Sequence, residues 1–79
     1  IIQAYPNPFT EKITINLNKN TNCSVEVYNM MGMLIRQETF QNTDNIIINK
    51  LYGLSAGFYV IKVVDANGDI LLAKRVVKL

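Results

Sequence analysis

The sequence predicts an all-β antiparallel domain, on three observations. Ile, Val and Thr supply 22 of the 79 residues, the β-branched set that packs well on a pleated surface. Apolar and polar residues alternate over several short stretches, and none keeps an i, i+3, i+4, i+7 apolar face long enough for a helix. Two turn signals, Asn29-Met30-Met31-Gly32 and Asp65-Ala66-Asn67-Gly68, each join two such stretches, with a side-chain acceptor first and Gly fourth.

In chain order, a short strand is expected at residues 1–5. Residues 12–18 put Ile13, Ile15 and Leu17 on one face and Thr14, Asn16 and Asn18 on the other. After a polar bend at residues 19–22, residues 23–28 alternate again with Cys23, Val25 and Val27 inward. Cys23 reads as a small buried hydrophobe rather than a reactive thiol. In the first turn Gly32 supplies the left-handed position. Pairing Asn29 with Met33 then sets Val27 opposite Ile35 in the core and Glu26 opposite Arg36 outside, an exposed ion pair worth under ~1 kcal/mol. Residues 34–40, a polar loop at 41–44 and a short strand at 46–48 follow. In the second turn, pairing Asp65 with Asp69 predicts Val63 opposite Leu71, Ile61 opposite Ala73 and Tyr59 opposite Arg75. Ile70, Leu71 and Leu72 are all apolar, so only the turn geometry chooses the last strand's inner face. Leu54-Ser55-Ala56-Gly57-Phe58-Tyr59 has the form of a tyrosine corner, in which a phenol bonds back to the backbone. That favours an immunoglobulin-like β-sandwich over a barrel: about seven antiparallel strands in two sheets with a Greek-key connection.

Composition limits the chemistry. At 9.0 kDa the chain suits one domain over residues 1–79, with a single core. With no His and one Cys, it lacks an imidazole base, a Cys/His pair, the usual zinc ligands and an intrachain disulfide. No catalytic residue, metal or cofactor is expected. A net charge of +2 and the absence of Trp argue against a nucleic-acid partner. The apolar runs fall far short of the ~18 residues that cross a bilayer, so no membrane insertion is expected. The start Ile1-Ile2-Gln3 reads as a domain excised from a longer polypeptide. Of the carboxylates only Asp65 and Asp69 are expected neighbours, and they read as turn chemistry. Met30, Met31 and Met33 read as hydrophobic shoulders of a turn rather than an adaptable contact surface. The basic end, Lys74-Arg75-Val76-Val77-Lys78, reads as protection of a sheet edge more than as steering towards acidic lipid or polysaccharide. In Tyr5-Pro6-Asn7-Pro8-Phe9 two prolines remove two donors and stiffen the backbone. The segment therefore cannot belong to a central strand, and Tyr5 and Phe9 are expected to anchor it against the sandwich.

These blocks together resemble a known family. Tyr5-Pro6-Asn7-Pro8-Phe9, Val25-Glu26-Val27-Tyr28-Asn29 with Gly32, residues 54–63, Asn67-Gly68 and the closing Lys74-Arg75-Val76-Val77-Lys78 are similar, in order and spacing, to the C-terminal sorting domain of the type IX secretion system of Bacteroidetes. The resemblance runs almost end to end. It implies a folded secretion signal, itself inert, on a cargo that crosses the inner membrane by a signal peptide and is then recognised by the outer-membrane translocon. It further implies removal of the domain by a sortase-like protease, often with attachment of the cargo to anionic lipopolysaccharide, by a cut before or near Ile1. The implied localisation is the periplasm in transit, then the outer-membrane surface or the medium. The implied recognition residues are Pro6, Asn7, Pro8, Gly57, Tyr59, Lys74, Arg75 and Lys78. Cys23 and the apolar Met pair before Gly32 depart from the family pattern.

Two other readings stand beside it. One is a fibronectin-like or carbohydrate-binding accessory sandwich of a secreted hydrolase, which would want a strip of exposed aromatics; only Tyr28 and Tyr52 are expected outside the core. The other is edge-strand self-association, or β-addition to the translocon, by an unprotected strand.

Overall fold

The alternating stretches Ile13, Ile15, Leu17 and Cys23, Val25, Val27 belong to one long strand, joined through the polar residues 18–22. The computed structural model describes residues 2–79. It contains β1 (Gln3–Tyr5), β2 (Ile13–Asn29), β3 (Leu34–Ile48), β4 (Gly57–Asp65) and β5 (Ile70–Lys78), with a 3-10 turn at Leu51–Gly53 before β4. Ile1, the first residue of the expected N-terminal strand, lies outside the described residues.

β2 is the spine. β3 pairs along one of its edges from Ile13↔Ile48 to Tyr28↔Leu34. The other edge is shared by β1, from Gln3↔Asn16 to Tyr5↔Thr14, and β4, from Cys23↔Asp65 to Asn29↔Tyr59. β5 pairs with β4. The connection through Leu51–Gly53 therefore carries the chain from one side of β2 to the other. It is fixed where Leu51 N donates to Glu11 O at 2.7 Å.

The result is one five-stranded antiparallel sheet curled into a half-barrel, not two sheets of about seven strands. The difference lies at the two expected polar connections, 19–22 and 41–44, which do not leave the ladder but pair with each other. Thr21 is opposite Thr43, with register shifts on both sides. Asn22 Oδ1 accepts from Asn42 N at 2.8 Å, and Asn42 takes a left-handed φ of 49°. Irregular pairing of this kind bends and twists a hairpin without ending it, so two pairs of short strands fuse into two long ones.

Curling brings the sheet's concave face around a single core. Ile13, Ile15, Ile46 and Ile48 cluster there with Val25, Ile61, Val63 and Val76, and Phe9 and Leu51 complete it, all essentially inaccessible. Each such side chain contributes about 1.5–3 kcal/mol by leaving water. Residues beyond β1 close the curl. Phe9 N donates to Val77 O at 2.8 Å and Leu79 N to Phe9 O at 3.0 Å, a parallel bridge on the outer edge of β5.

Both hairpins correct the expected register by one residue. The first pairs are as expected: Asn29 N donates to Met33 O at 3.0 Å, and Asp65 N to Asp69 O at 2.9 Å. Beyond each turn, however, one residue is left without an opposite number, Ile35 in β3 and Leu71 in β5. Val27 then faces Arg36, Glu26 faces Gln37, Val63 faces Leu72, Ile61 faces Lys74 and Tyr59 faces Val76. A single extra residue turns every later side chain over. The energetic reason in β5 is plain: the shift buries Val76 beside Tyr59 and leaves Arg75 outside, whereas the unshifted register would bury a guanidinium. The expected Glu26–Arg36 ion pair is absent from this register. Arg36 bonds instead to Glu38 on its own strand at 2.9 Å and to Asn49 O at 2.6 Å.

Candidate functional site

Three sequence blocks up to 70 residues apart meet at one end of the half-barrel. Pro6 and Pro8 have no N–H, so the segment between β1 and Phe9 cannot bond as a strand through its backbone alone. Asn7 supplies what is missing: its Oδ1 accepts from Val77 N at 2.9 Å and its Nδ2 donates to Arg75 O at 3.4 Å. With the two Phe9 backbone bonds, this gives a continuous run of four hydrogen bonds along β5 from Arg75 to Leu79. Both Xaa-Pro bonds, Tyr5–Pro6 and Asn7–Pro8, are cis. Phe9 anchors the segment as expected, at 1% exposure. Tyr5 does not: it is 42% exposed, and its Oη accepts from Asn16 Nδ2 at 3.0 Å.

The Gly57–Tyr59 block lies on the other side of β5. Gly57 is opposite Lys78 and Tyr59 opposite Val76. Gly57 has φ 139°, a conformation that L side chains rarely adopt. The tyrosine corner is present: Tyr59 Oη donates to Ser55 O at 2.6 Å, a part-buried bond worth about 1 kcal/mol net. The Tyr59 ring meets Phe9 edge to face, centroids 6.4 Å apart. Tyr59 thus joins the N-terminal segment to β4 through the core.

The basic residues of β5 divide by face. Lys74 and Lys78 point inward. Lys74 Nζ donates to Ala4 O at 3.0 Å, tying β5 to β1, and Lys78 Nζ donates to Leu79 O at 2.8 Å while the residue is buried. Arg75 points outward, with its guanidinium 4.9 Å from the Phe58 ring centroid. Of the eight residues expected to take part in recognition, Pro6, Asn7, Pro8 and Arg75 are exposed, while Tyr59 and Lys78 are buried and Gly57 and Lys74 half-buried. Seven of the eight gather at this end of the sheet; Lys74, opposite Ile61, sits midway along β5 and reaches across to Ala4. Phe58, part of the Gly57-Phe58-Tyr59 block that the resemblance implicates, is half-exposed beneath Arg75 and lies with the seven.

Other polar groups are satisfied locally. Asp65 Oδ1 accepts from Asn67 N and Asp69 N, both at 2.9 Å, so Asp65 is a turn former. Tyr28 Oη donates to Glu26 at 2.6 Å. That bond holds its phenolic proton above the ordinary value of 10.0, with burial and the Glu26 charge adding. Lys62 Nζ lies 5.5 Å from the Tyr28 ring centroid. Burial, and then the Asp65 carboxylate, push the Cys23 thiol above 9.0, which suppresses its thiolate. Among the described residues no group of three or more His, Cys, Asp or Glu side chains could hold a metal ion.

The Pro6–Phe9 segment, the Tyr59 corner and the C-terminal end of β5 thus converge on one end of the sheet. The chain belongs to the secretion system C-terminal sorting domain family, the type IX sorting domains, which matches it over residues 3–78. Two curated relatives span nearly all of it: an endo-acting ulvan lyase of Formosa agariphila, 31% identical over 98% of this chain, and an ulvan lyase of Nonlabens ulvanivorans, 28% identical over 96%. The chain spans only 15% and 14% of those proteins. A solved structure of PorZ, described as an essential surface component of the type-IX secretion system of Porphyromonas gingivalis, shares the fold. Its TM-score is 0.76 at 22% identity, over 99% of this chain and 11% of that one.

Proposed function

We propose that this domain directs a cargo protein through the type IX outer-membrane translocon, is read there at the end where Pro6–Pro8, Gly57–Tyr59 and β5 meet, and is then removed by a sortase-like protease. Attachment of the released cargo to anionic lipopolysaccharide is part of the same reading. The observation that carries it is the family match over residues 3–78. The lyase activity in the relatives' names is assigned to the parts of those proteins that have no counterpart here.

Geometry refines which groups a receptor would touch. Lys74 gives its ammonium group to Ala4 O, which ties β5 to β1, while the buried Lys78 bonds only to its neighbour Leu79, so neither ammonium is offered to a receptor. Arg75 on Phe58, with the exposed Pro6-Asn7-Pro8 strap beside it, offers a cation on a rigid apolar ledge. The strap also occupies the β5 edge from Arg75 to Leu79, which leaves the outer edge of β3 as the long unpaired edge for strand addition by a partner or a second copy. There, inward-facing Arg36 and Glu38 blunt such pairing.

The test is a periplasmically exported reporter fused to residues 1–79 in a bacterium with this secretion system. The fused reporter is expected at the cell surface or in the medium, and the unfused one is expected to stay in the periplasm. Equal distribution of the two overturns the reading.

A further inference from the structure

The two hairpin turns are the same device with different surfaces. In each, the first residue's side-chain oxygen accepts two backbone N–H groups: Asn29 Oδ1 from Met31 at 2.9 Å and Met33 at 3.0 Å, Asp65 Oδ1 from Asn67 and Asp69, both at 2.9 Å. In each the fourth residue is a left-handed glycine, Gly32 at φ 82° and Gly68 at φ 87°. The β4–β5 turn fills its other positions with Ala66, Asn67 and Asp69. The β2–β3 turn uses Met30, Met31 and Met33; an exposed apolar residue follows both turns, Leu34 here and Ile70 there. Turn geometry therefore does not require methionine. Nor does the core, since Met30, Met31, Met33 and Leu34 are 58%, 80%, 54% and 47% exposed. A rigid tip that holds large apolar groups in water marks a contact surface.

The register puts the turns at opposite ends of the molecule, with Asn29 opposite Tyr59 and Asp65 opposite Cys23. Charge divides the same way. The acidic pair Asp65 and Asp69 lies at the far turn. On the outer face behind the methionine tip, Arg75 is level with Tyr28 through Val60, and Lys62 is level with Glu26. Glu26, opposite Lys62, keeps its charge while accepting from Tyr28 and Gln37, so Arg75 leaves these three groups one net positive charge; Arg36 and Glu38 pair with each other on the inner face. At ~3.3 Å per residue, Arg75 sits about 3 Å and Lys62 about 10 Å behind the level of Asn29. Both cations therefore stand within about 10 Å of the base of the tip, within reach of headgroups if the tip is buried ~5–10 Å into a bilayer interface.

We propose that the β2–β3 turn is a membrane-surface anchor: Met30, Met31, Met33 and Leu34 seat in the interface of a bilayer bearing anionic headgroups, Arg75 and Lys62 meet the phosphates, and the acidic β4–β5 turn is held away in water. Flexible, unbranched methionines on an outstanding tip need no preformed pocket in their partner, which a deformable lipid layer does not have to supply. The turn lies on the membrane and does not span it. The proposal stands apart from the sorting reading, because its test uses lipid and the isolated chain.

The purified chain is floated with vesicles of phosphatidylcholine alone and of phosphatidylcholine mixed with phosphatidylglycerol. It is expected to float with the mixed vesicles and to bind the neutral ones about tenfold less. Met31→Ser with Met33→Ser is expected to weaken binding to mixed vesicles by about tenfold or more, with an unchanged circular dichroism spectrum. Asn67→Ser on the matching turn is expected to change nothing. Failure of the natural chain to float, or equal flotation of the methionine variant, overturns the proposal. So does capture of an outer-membrane protein through the tip without vesicle binding, which would assign the tip to a protein partner.

Discussion

Asn7 does with its side chain what its proline neighbours prevent the backbone from doing. Its carboxamide offers an acceptor and a donor to β5 where a strand would offer C=O and N–H, so a stiff proline segment still seals a sheet edge. This was not legible from the sequence, where the two prolines showed that the segment could not be a central strand but not which edge it would cover. Tyr59 was legible, because a phenol entering a strand after a Gly turn has few places to put its proton. Cys23 was legible as a buried hydrophobe from the alternation around it, and its burial carries a pH prediction. The folded state holds the thiol proton more tightly than the unfolded chain does, so this contribution to stability is complete below pH 9.0 and is lost as pH rises through the raised value. Tyr28 acts in the same direction from 10.0 upward. Thermal melts are expected to be level from neutral pH to about 9 and to fall above it, and the margin of the natural chain over Cys23→Ala is expected to narrow there. A margin that widens at alkaline pH would contradict this.

At the scale of elements, the strands were legible and their joins were not. The inward set Ile13, Ile15, Leu17, Cys23, Val25 and Val27 follows from alternation, and all six are buried. The fusion of short strands into β2 and β3 was hidden because polar residues at 19–22 and 41–44 look like loops whether they leave the ladder or pair across it. The bulges at Ile35 and Leu71 were hidden because apolar runs on either side of them, Met33-Leu34-Ile35 and Ile70-Leu71-Leu72, satisfy either face. The hold of the strap on β5 is open to measurement. Asn7→Ala removes the acceptor of Val77 N–H and about 1 kcal/mol of protection. Amide exchange at Val77 is expected to quicken about fivefold or more, while Val63 in β4 keeps its rate. Unchanged exchange at Val77 would mean that the strap does not hold this edge.

For the whole molecule, the half-barrel turns sequence ends into a spatial address. Pro6-Asn7-Pro8, Gly57–Tyr59 and residues 75–78 are scattered along the chain, and curling a single sheet about β2 puts them at one end. The family resemblance pointed to these blocks without showing that they touch, since contact at that range depends on the closure by Phe9 and the corner at Tyr59. On the proposed reading two roles are then separable: Lys74 and Tyr59 build the end through their bonds to Ala4 and Ser55, while Arg75 and the proline strap present it. The most direct test is surface delivery of the exported reporter by two fusions that melt at the same temperature, one carrying Arg75→Glu and one carrying Asn67→Lys at the opposite turn. Delivery is expected to fall towards that of the unfused reporter with Arg75→Glu and to stay at the natural level with Asn67→Lys. Equal delivery by both would contradict a signal read at this end of the sheet.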